Sequence, residues 1–220
     1  MTTWKSPVSR VRRAGWILLL GIIVAAAGIT LVSRSLQESL LRAIGRALVA
    51  SEQVFSADVI VVSLDSGGAG ALEAADLVQR GIAKRVAVFM DPPRGEDHEF
   101  IRRGLPYEDA GARQIRQLRS LGITNIVQIA TIDGTESEGH ALSAWCKEQR
   151  FDAIVFVVTS DHSRRAQRVL SRIMKNTSIR IVVQPARYSS FDPERWWETR
   201  GGIRIAIIEM QKLILDLVLH

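Results

Sequence analysis

Apolar residues in this chain fall into five short runs separated by longer stretches of helical spacing. Ala57 to Leu64 (ADVIVVSL), Lys84 to Met90 (KRVAVFM), Asn125 to Ala130, Asp152 to Val158 and Ile179 to Val183 are rich in β-branched residues. They lack the apolar–polar alternation of a half-exposed strand, so they predict strands covered on both faces. Between them, Gly70 to Arg80 closed by Gly81, Tyr107 to Leu121 closed by Gly122, Thr135 to Gln149, and Ser163 to Met174 predict helices. A last amphipathic helix carries Ile203, Ile207, Met210, Ile214 and Leu217 on one face, which the pattern assigns to packing. Asp91 to Leu105, polar and interrupted by Pro92 and Pro93, is expected to be loop. Strands alternating with helices predict a five-stranded parallel sheet with helices on both sides.

The beginning of the chain follows a different pattern. Ala14 to Ser33 (AGWILLLGIIVAAAGITLVS) is uncharged over 20 residues, with Arg12 and Arg13 before it and Arg34 after it. At 1.5 Å per residue that length spans the roughly 30 Å hydrocarbon core of a bilayer. We therefore expect a basic segment at 1–13, one transmembrane helix at 14–33, an amphipathic connecting helix over 34–52 with Leu36, Leu40, Leu41, Ile44 and Leu48 on one side, and a domain at 53–220. A cleaved secretory signal is the alternative, since Ala25 to Gly28 supply small residues. The basic residues before the span favour an amino terminus in the cytoplasm of a single-pass inner-membrane protein, with the domain outside it.

Charge supports this division. The chain holds 29 basic and 23 acidic residues, a net charge of +6. Seven of the basic residues and one acid, Glu38, lie within residues 1–46, which leaves 22 of each sign in 47–220. The domain is thus electrically neutral, and no general attraction to nucleic acid is implied. Cys146 is the single cysteine, which excludes an intramolecular disulfide and a multi-cysteine metal site.

In such sheets ligands bind beyond the carboxyl ends of the strands. After the first strand come Asp65, Ser66, Gly67, Gly68 and Gly70, where glycines allow a close backbone approach although LDSGGAG is not a GxGxxG fingerprint. After the second come Asp91, Asp97, His98 and Glu99, metal-capable residue types without a ligand spacing. After the third, Thr135 and Glu138 form a T-x-x-E capping box, or else Glu138 orients a histidine or accepts a ligand hydroxyl. After the fourth, Thr159, Ser160, Asp161, His162, Arg164 and Arg165 form the densest set. Imidazole ordinarily titrates near neutrality, which suits His162 to proton transfer, while two guanidinium groups suit an anion. Both arginines lie near the positive end of a helix dipole, so something negative should compensate them. Trp196 and Trp197 are read as packing for the last helix rather than as the rim of a lipid or sugar site.

Taken in order, ADVIVV with its glycines, Thr135 and Glu138, VVTSDHSRRA from Val157 to Ala166, and FDPERWW followed by Glu209 and Lys212 resemble the YdcF-like envelope family, whose relatives include SanA and ElyC. The resemblance covers roughly Ala47 to Leu215 and rests mainly on the T-S-x-H-x-R-R-A run. It implies a Rossmann-like three-layer α/β/α sandwich behind one membrane anchor and a link to envelope integrity, peptidoglycan or lipid-carrier metabolism. For one branch of the family it implies S-adenosylmethionine binding. The family's strand order would place Gly67 and Gly68 opposite His162 and Arg165.

The sequence reading is of a membrane-anchored domain that binds an anionic small molecule or lipid-linked intermediate through Ser66, Gly67, Gly68, Thr135, Thr159, Ser160, Arg164 and Arg165. In an enzymatic version His162 is the acid or base, oriented by Glu138 or Asp65, and the reaction is a phosphoryl- or pyrophosphate-linked hydrolysis or transfer. The non-enzymatic version is an envelope sensor or scaffold. Alkaline phosphatase fused after His220 should be active in a bacterial host, as expected for an extracytoplasmic domain, and an inactive fusion would place the domain in the cytoplasm.

Overall fold

The computed structural model describes residues 33–91, 93, 95–130 and 135–219. The expected transmembrane helix at 14–33 lies outside these residues except for Ser33, and no helix among the described residues is long and apolar enough to cross a membrane. The chain divides into two compact units, Met1–Ala43 and Ile44–His220. In the first, the described residues belong to helix α1 (33–47), where Leu36 and Leu40 are exposed and Glu38 pairs with Arg42 at 3.0 Å.

In the second unit, β1 (Val59–Val62), β2 (Val86–Phe89), β3 (Ile126–Ile129), β4 (Ala153–Thr159) and β5 (Arg180–Ala186) form one parallel sheet in the order β3-β2-β1-β4-β5. The predicted apolar runs are the central strands, and every residue of β1 and β2 is buried. Because side chains alternate along a strand, each run feeds two cores. Ile60, Val62, Val86, Val88 and Val155 meet α2 (Gly67–Gln79) and α4 (Ala110–Ser120) on one face. Val59, Val61, Phe89, Ile154 and Phe156 meet α5 (Thr135–Gln149) and α6 (Ser163–Met174) on the other. Both faces are thus covered, as expected, and α7 (Arg200–Leu219) packs on α6. Trp196, buried, sits before α7 and closes on Gly45 and Gly202, where an added Cβ would run into Trp196 or the Pro193 carbonyl.

Several expectations need correction. The segment expected to be loop contains a short helix, α3 (Glu96–Arg102), braced by Glu99 pairing with Arg102 and Arg103. Helix α2 begins at Gly67, earlier than Gly70, because a tight turn at Leu64–Ser66 leads directly into it through Gly67 at φ +49, a conformation that glycine adopts readily. Residues 44–52 are part of the domain rather than a connector. Leu48 and Ala50 are buried in it, and the Glu52 carboxylate accepts the Val183 N–H on the outer edge of β5 at 3.0 Å.

Arg164, expected to bind an anion, holds this segment instead. Its guanidinium donates to the carbonyls of Ala47 (3.4 Å) and Val49 (2.8 Å), and its backbone N–H donates to Leu48 (3.0 Å). These carbonyls end α1, where the helix leaves acceptors unpaired and favours a cation. Replacing Arg164 by Met should cost about 0.5–1.5 kcal/mol in chemical denaturation, because a half-buried carbonyl and an exposed one lose a charged donor. An unchanged denaturation midpoint would show that the contact contributes nothing.

Candidate functional site

The first and fourth strands are neighbours, with Val62 level with Val157 and the Ser63 N–H donating to the Val157 carbonyl at 2.9 Å. This register brings the turn after β1 beside the turn after β4. His162, at the start of α6, is 3% exposed and lies between three elements. Its Nδ1 is 3.3 Å from Glu209 Oε2 on α7, its Nε2 is 3.3 Å from Thr135 Oγ1 on α5, and Asp65 Oδ2 is 3.8 Å from Nε2.

The hydrogen-bond network assigns the protons. Glu209 accepts from Lys212 (2.6 Å) and from Arg165 Nε (3.2 Å). Burial pushes its carboxyl up, but the bonds from His162 and Lys212 and the charge of Arg165 outweigh burial and hold it at about 2. An ionised carboxylate only accepts, so Nδ1 of a neutral imidazole carries the proton toward Glu209 and Nε2 is the acceptor. Arg165 Nη1 donates to Thr135 Oγ1 at 3.2 Å, which leaves the Thr135 hydroxyl proton to point at Nε2. A chain runs from Thr135 through His162 to Glu209. A second proton on the ring would have a carboxylate on each side, Glu209 and Asp65.

Glu138 lies one turn along α5 from Thr135, on the same face. It is 7% exposed, and burial, then the nearby charge of Asp65, raises its carboxyl to about 7 against the lowering influence of the Leu64 N–H, the Ser63 hydroxyl and Arg165. The Ser63 hydroxyl also donates to Asp65 Oδ1 at 2.6 Å. One hydroxyl proton cannot serve two carboxylates, and a proton retained on Glu138 to near neutrality relieves the conflict.

The structure thus brings together four of the expected residues, Asp65, Thr135, His162 and Arg165, with Glu138 beside them. It alters their roles. The group that holds the imidazole is Glu209, not Glu138, and the expected capping box is replaced by contacts that send Thr135 to His162 and Glu138 to the β1 turn. Other expected ligand contacts are committed to the protein. Both the N–H and the hydroxyl of Ser66 go to the Ser63 carbonyl. The Ser160 hydroxyl donates to the Phe191 carbonyl, and its N–H donates to the Ser189 hydroxyl rather than to a ligand. Thr159 is the half-buried last residue of β4, paired with Ala186. Gly68 faces α4, where an added Cβ would come within 3.3 Å of the Gln117 amide. Ser66 is therefore turned to the protein, and Gly68 lies on the side of α2 that faces α4.

Arg165, Arg168 and Arg172 of α6 find their compensating charge on α7. Arg168 and Arg172 both reach Asp216 (2.8 and 2.9 Å), and Arg172 also pairs with Glu136 at 3.0 Å. With Glu209 and Asp216 facing inward, the site contains more acid than the expected anion pocket, and Arg165 is its principal cation. Glu209 was visible in the sequence only as part of the FDPERWW-to-Lys212 resemblance. Two grooves, of about 570 and 310 Å³, flank α4; the smaller is lined by Gly68, Leu72, Gln117 and Leu121 and neither by His162.

No protein-family model and no curated protein matches this chain, so the site is argued from geometry.

The raised Glu138 carboxyl has a defined sign. The folded chain keeps a proton that the unfolded chain releases near its ordinary 4.5, so Glu138 lowers stability as pH rises from about 4.5 to about 7. Wild type should lose on the order of 2–3 kcal/mol across this window relative to Glu138→Gln. Parallel stability profiles for the two proteins would contradict the assignment.

Proposed function

We propose that this protein is a membrane-tethered acid–base enzyme of the cell envelope, a hydrolase or transferase acting on a small or lipid-linked substrate that carries a phosphate or pyrophosphate ester. The observation that carries the reading is the Thr135–His162–Glu209 chain. A base, a hydroxyl within its reach and a carboxylate that orients the base form the arrangement by which proteins activate weak nucleophiles. The imidazole is too deeply buried to meet a substrate itself, whereas Thr135 is half-buried. His162 therefore acts through the Thr135 hydroxyl.

In this scheme Thr135 Oγ1 gives its proton to His162 Nε2 and attacks phosphorus as the ester bond to the leaving oxygen breaks. Arg165, already at Thr135, stabilises the charge that develops. The leaving oxygen takes its proton from solvent, while Glu138, buried and turned to the β1 turn, keeps its own. Water in a hydrolase, or an acceptor hydroxyl in a transferase, then attacks the same phosphorus and gives up its proton to solvent; the bond from phosphorus to Thr135 Oγ1 breaks, and the threonine oxygen takes its proton back from His162. The envelope setting comes from the uncharged stretch at 14–33 and from the resemblance to YdcF-like proteins.

A second reading is favoured by the position of the grooves. A ligand in the groove between α2 and α4, lined by Gly68 and Gln117, would be sensed without chemistry, and the polar cluster would serve to lock α5, α6 and α7 together.

The full chain in detergent should release phosphate from p-nitrophenyl phosphate or from a polyprenyl pyrophosphate. Thr135→Val and His162→Gln should each lower turnover by about 10²–10⁴-fold with the fold intact by circular dichroism. Wild-type turnover by the threonine variant would sink the nucleophile, and unchanged turnover by both would leave the sensing reading.

A further inference from the structure

Helix α7 is turned opposite to the expectation from its pattern. Its inward residues are Gly202, Ala206, Glu209 and Asp216, because the arginines of α6 require the two carboxylates. The apolar positions that the sequence assigns to packing therefore point outward. Ile203, Ile207, Ile214 and Leu217 form one exposed stripe, spaced by four, seven and three residues, and Ile208 and Leu215 form a second. Val218 and Leu219, at 75% and 70% exposure, are the most open of all.

Between the stripes run Arg200, Arg204 and Gln211, and Lys212 lies at the margin; all four are exposed. The exposed surface of α7 carries cations and no acid, since both of its carboxylates are buried and paired. This composition discriminates between occupants. A second copy packed on this face would bury guanidinium groups with no carboxylate on the face to meet them, which is costly. A protein surface rich in acids would leave the isoleucines and leucines poorly matched. An anionic bilayer surface satisfies both components: the apolar stripes enter the boundary between headgroups and acyl chains, and the arginine side chains extend to lipid phosphates.

We infer that α7 is an interfacial membrane-docking helix, which lays the outer face bearing Ile207, Ile214, Leu215 and Val218 on anionic lipid. The inference rests on the membrane tether of the proposed function and goes beyond it, because it adds a second lipid contact at the opposite end of the chain. Glu209 and Asp216 on the inner side of the same helix hold His162 and the α6 arginines, so docking would keep the candidate site about one helix diameter from the lipid, with α7 between them.

The test uses the full chain in nanodiscs that hold one copy each, with a polarity-sensitive fluorophore on Val218→Cys; native Cys146 is buried and does not compete for label. In discs of phosphatidylcholine mixed with phosphatidylglycerol the emission should shift to the blue and fall about twofold or more with headgroup-proximal quencher lipids. Exchanging Arg200 and Arg204 for Glu, or raising the salt concentration, should lower the docked-to-free ratio roughly tenfold or more. A fluorophore on Glu148→Cys should report water throughout. An unquenched label at 218 in the anionic discs overturns the inference. So does a blue shift that follows protein concentration in detergent and ignores the lipid, which would assign the face to a second copy. Retention in pure phosphatidylcholine discs reports separately on the 14–33 span. A chain that leaves those discs, yet is held and quenched on anionic ones, refutes the tether and keeps the docking helix.

Discussion

The pairing of the α6 arginines with two carboxylates on the inner side of α7 is the interaction on which this end of the molecule depends. Buried carboxylates are tolerated only with cations and hydrogen bonds around them. Arg165 and Lys212 supply these to Glu209, and Arg168 and Arg172 supply them to Asp216. The requirement sets the rotation of α7 about its axis. It fixes which side chains that helix shows to solvent, and it delivers Glu209 to the imidazole of His162. Of the two arginines that looked electrostatically awkward beside the α6 amino terminus, Arg165 is explained by Glu209, some forty residues further along the chain, and Arg164 by the carbonyls that end α1.

The legible part of the fold was the part governed by hydrophobic burial. The uninterrupted apolar runs at Val59–Val62 and Ile154–Val158 are central strands because only a doubly covered sheet can bury consecutive side chains. Thr135–Gln149 and Ser163–Met174 are helices within the bounds expected from their spacing. The pattern misled at α7, because periodicity reports that a helix has an apolar side but not which way that side faces when salt bridges compete for the interior.

The site was legible in its location but only partly in its roles. Strand ends marked Asp65, Thr135, His162 and Arg165, since β1 and β4 are adjacent and in register. Arg164 and Arg165 are neighbours with the same chemistry, and local sequence has no means of telling that α1 ends where only Arg164 can reach its carbonyls. Ser66 and Ser160 are good hydrogen-bonding residues in turns, and the turns themselves use that capacity. Glu209 enters the sequence reading only through the resemblance, because a single carboxylate in an apolar helix has no spacing that marks it as a site residue. Its buried position, at 7% exposure, is what makes it informative.

What remains of the site is a short proton path with one accessible end. Glu209 fixes the ring, Thr135 connects the ring to the surface, and Glu138 stands one helical turn away with its proton held to near neutrality. The central claim is that Glu209 determines the protonation of His162, and the most direct measurement is nitrogen-15 NMR of the imidazole in protein labelled at its four histidines. The account predicts that above neutral pH His162 carries its proton on Nδ1, and that Glu209→Gln shifts the population toward the Nε2 tautomer. A wild-type ring protonated on Nε2, or one unaffected by the substitution, would contradict it.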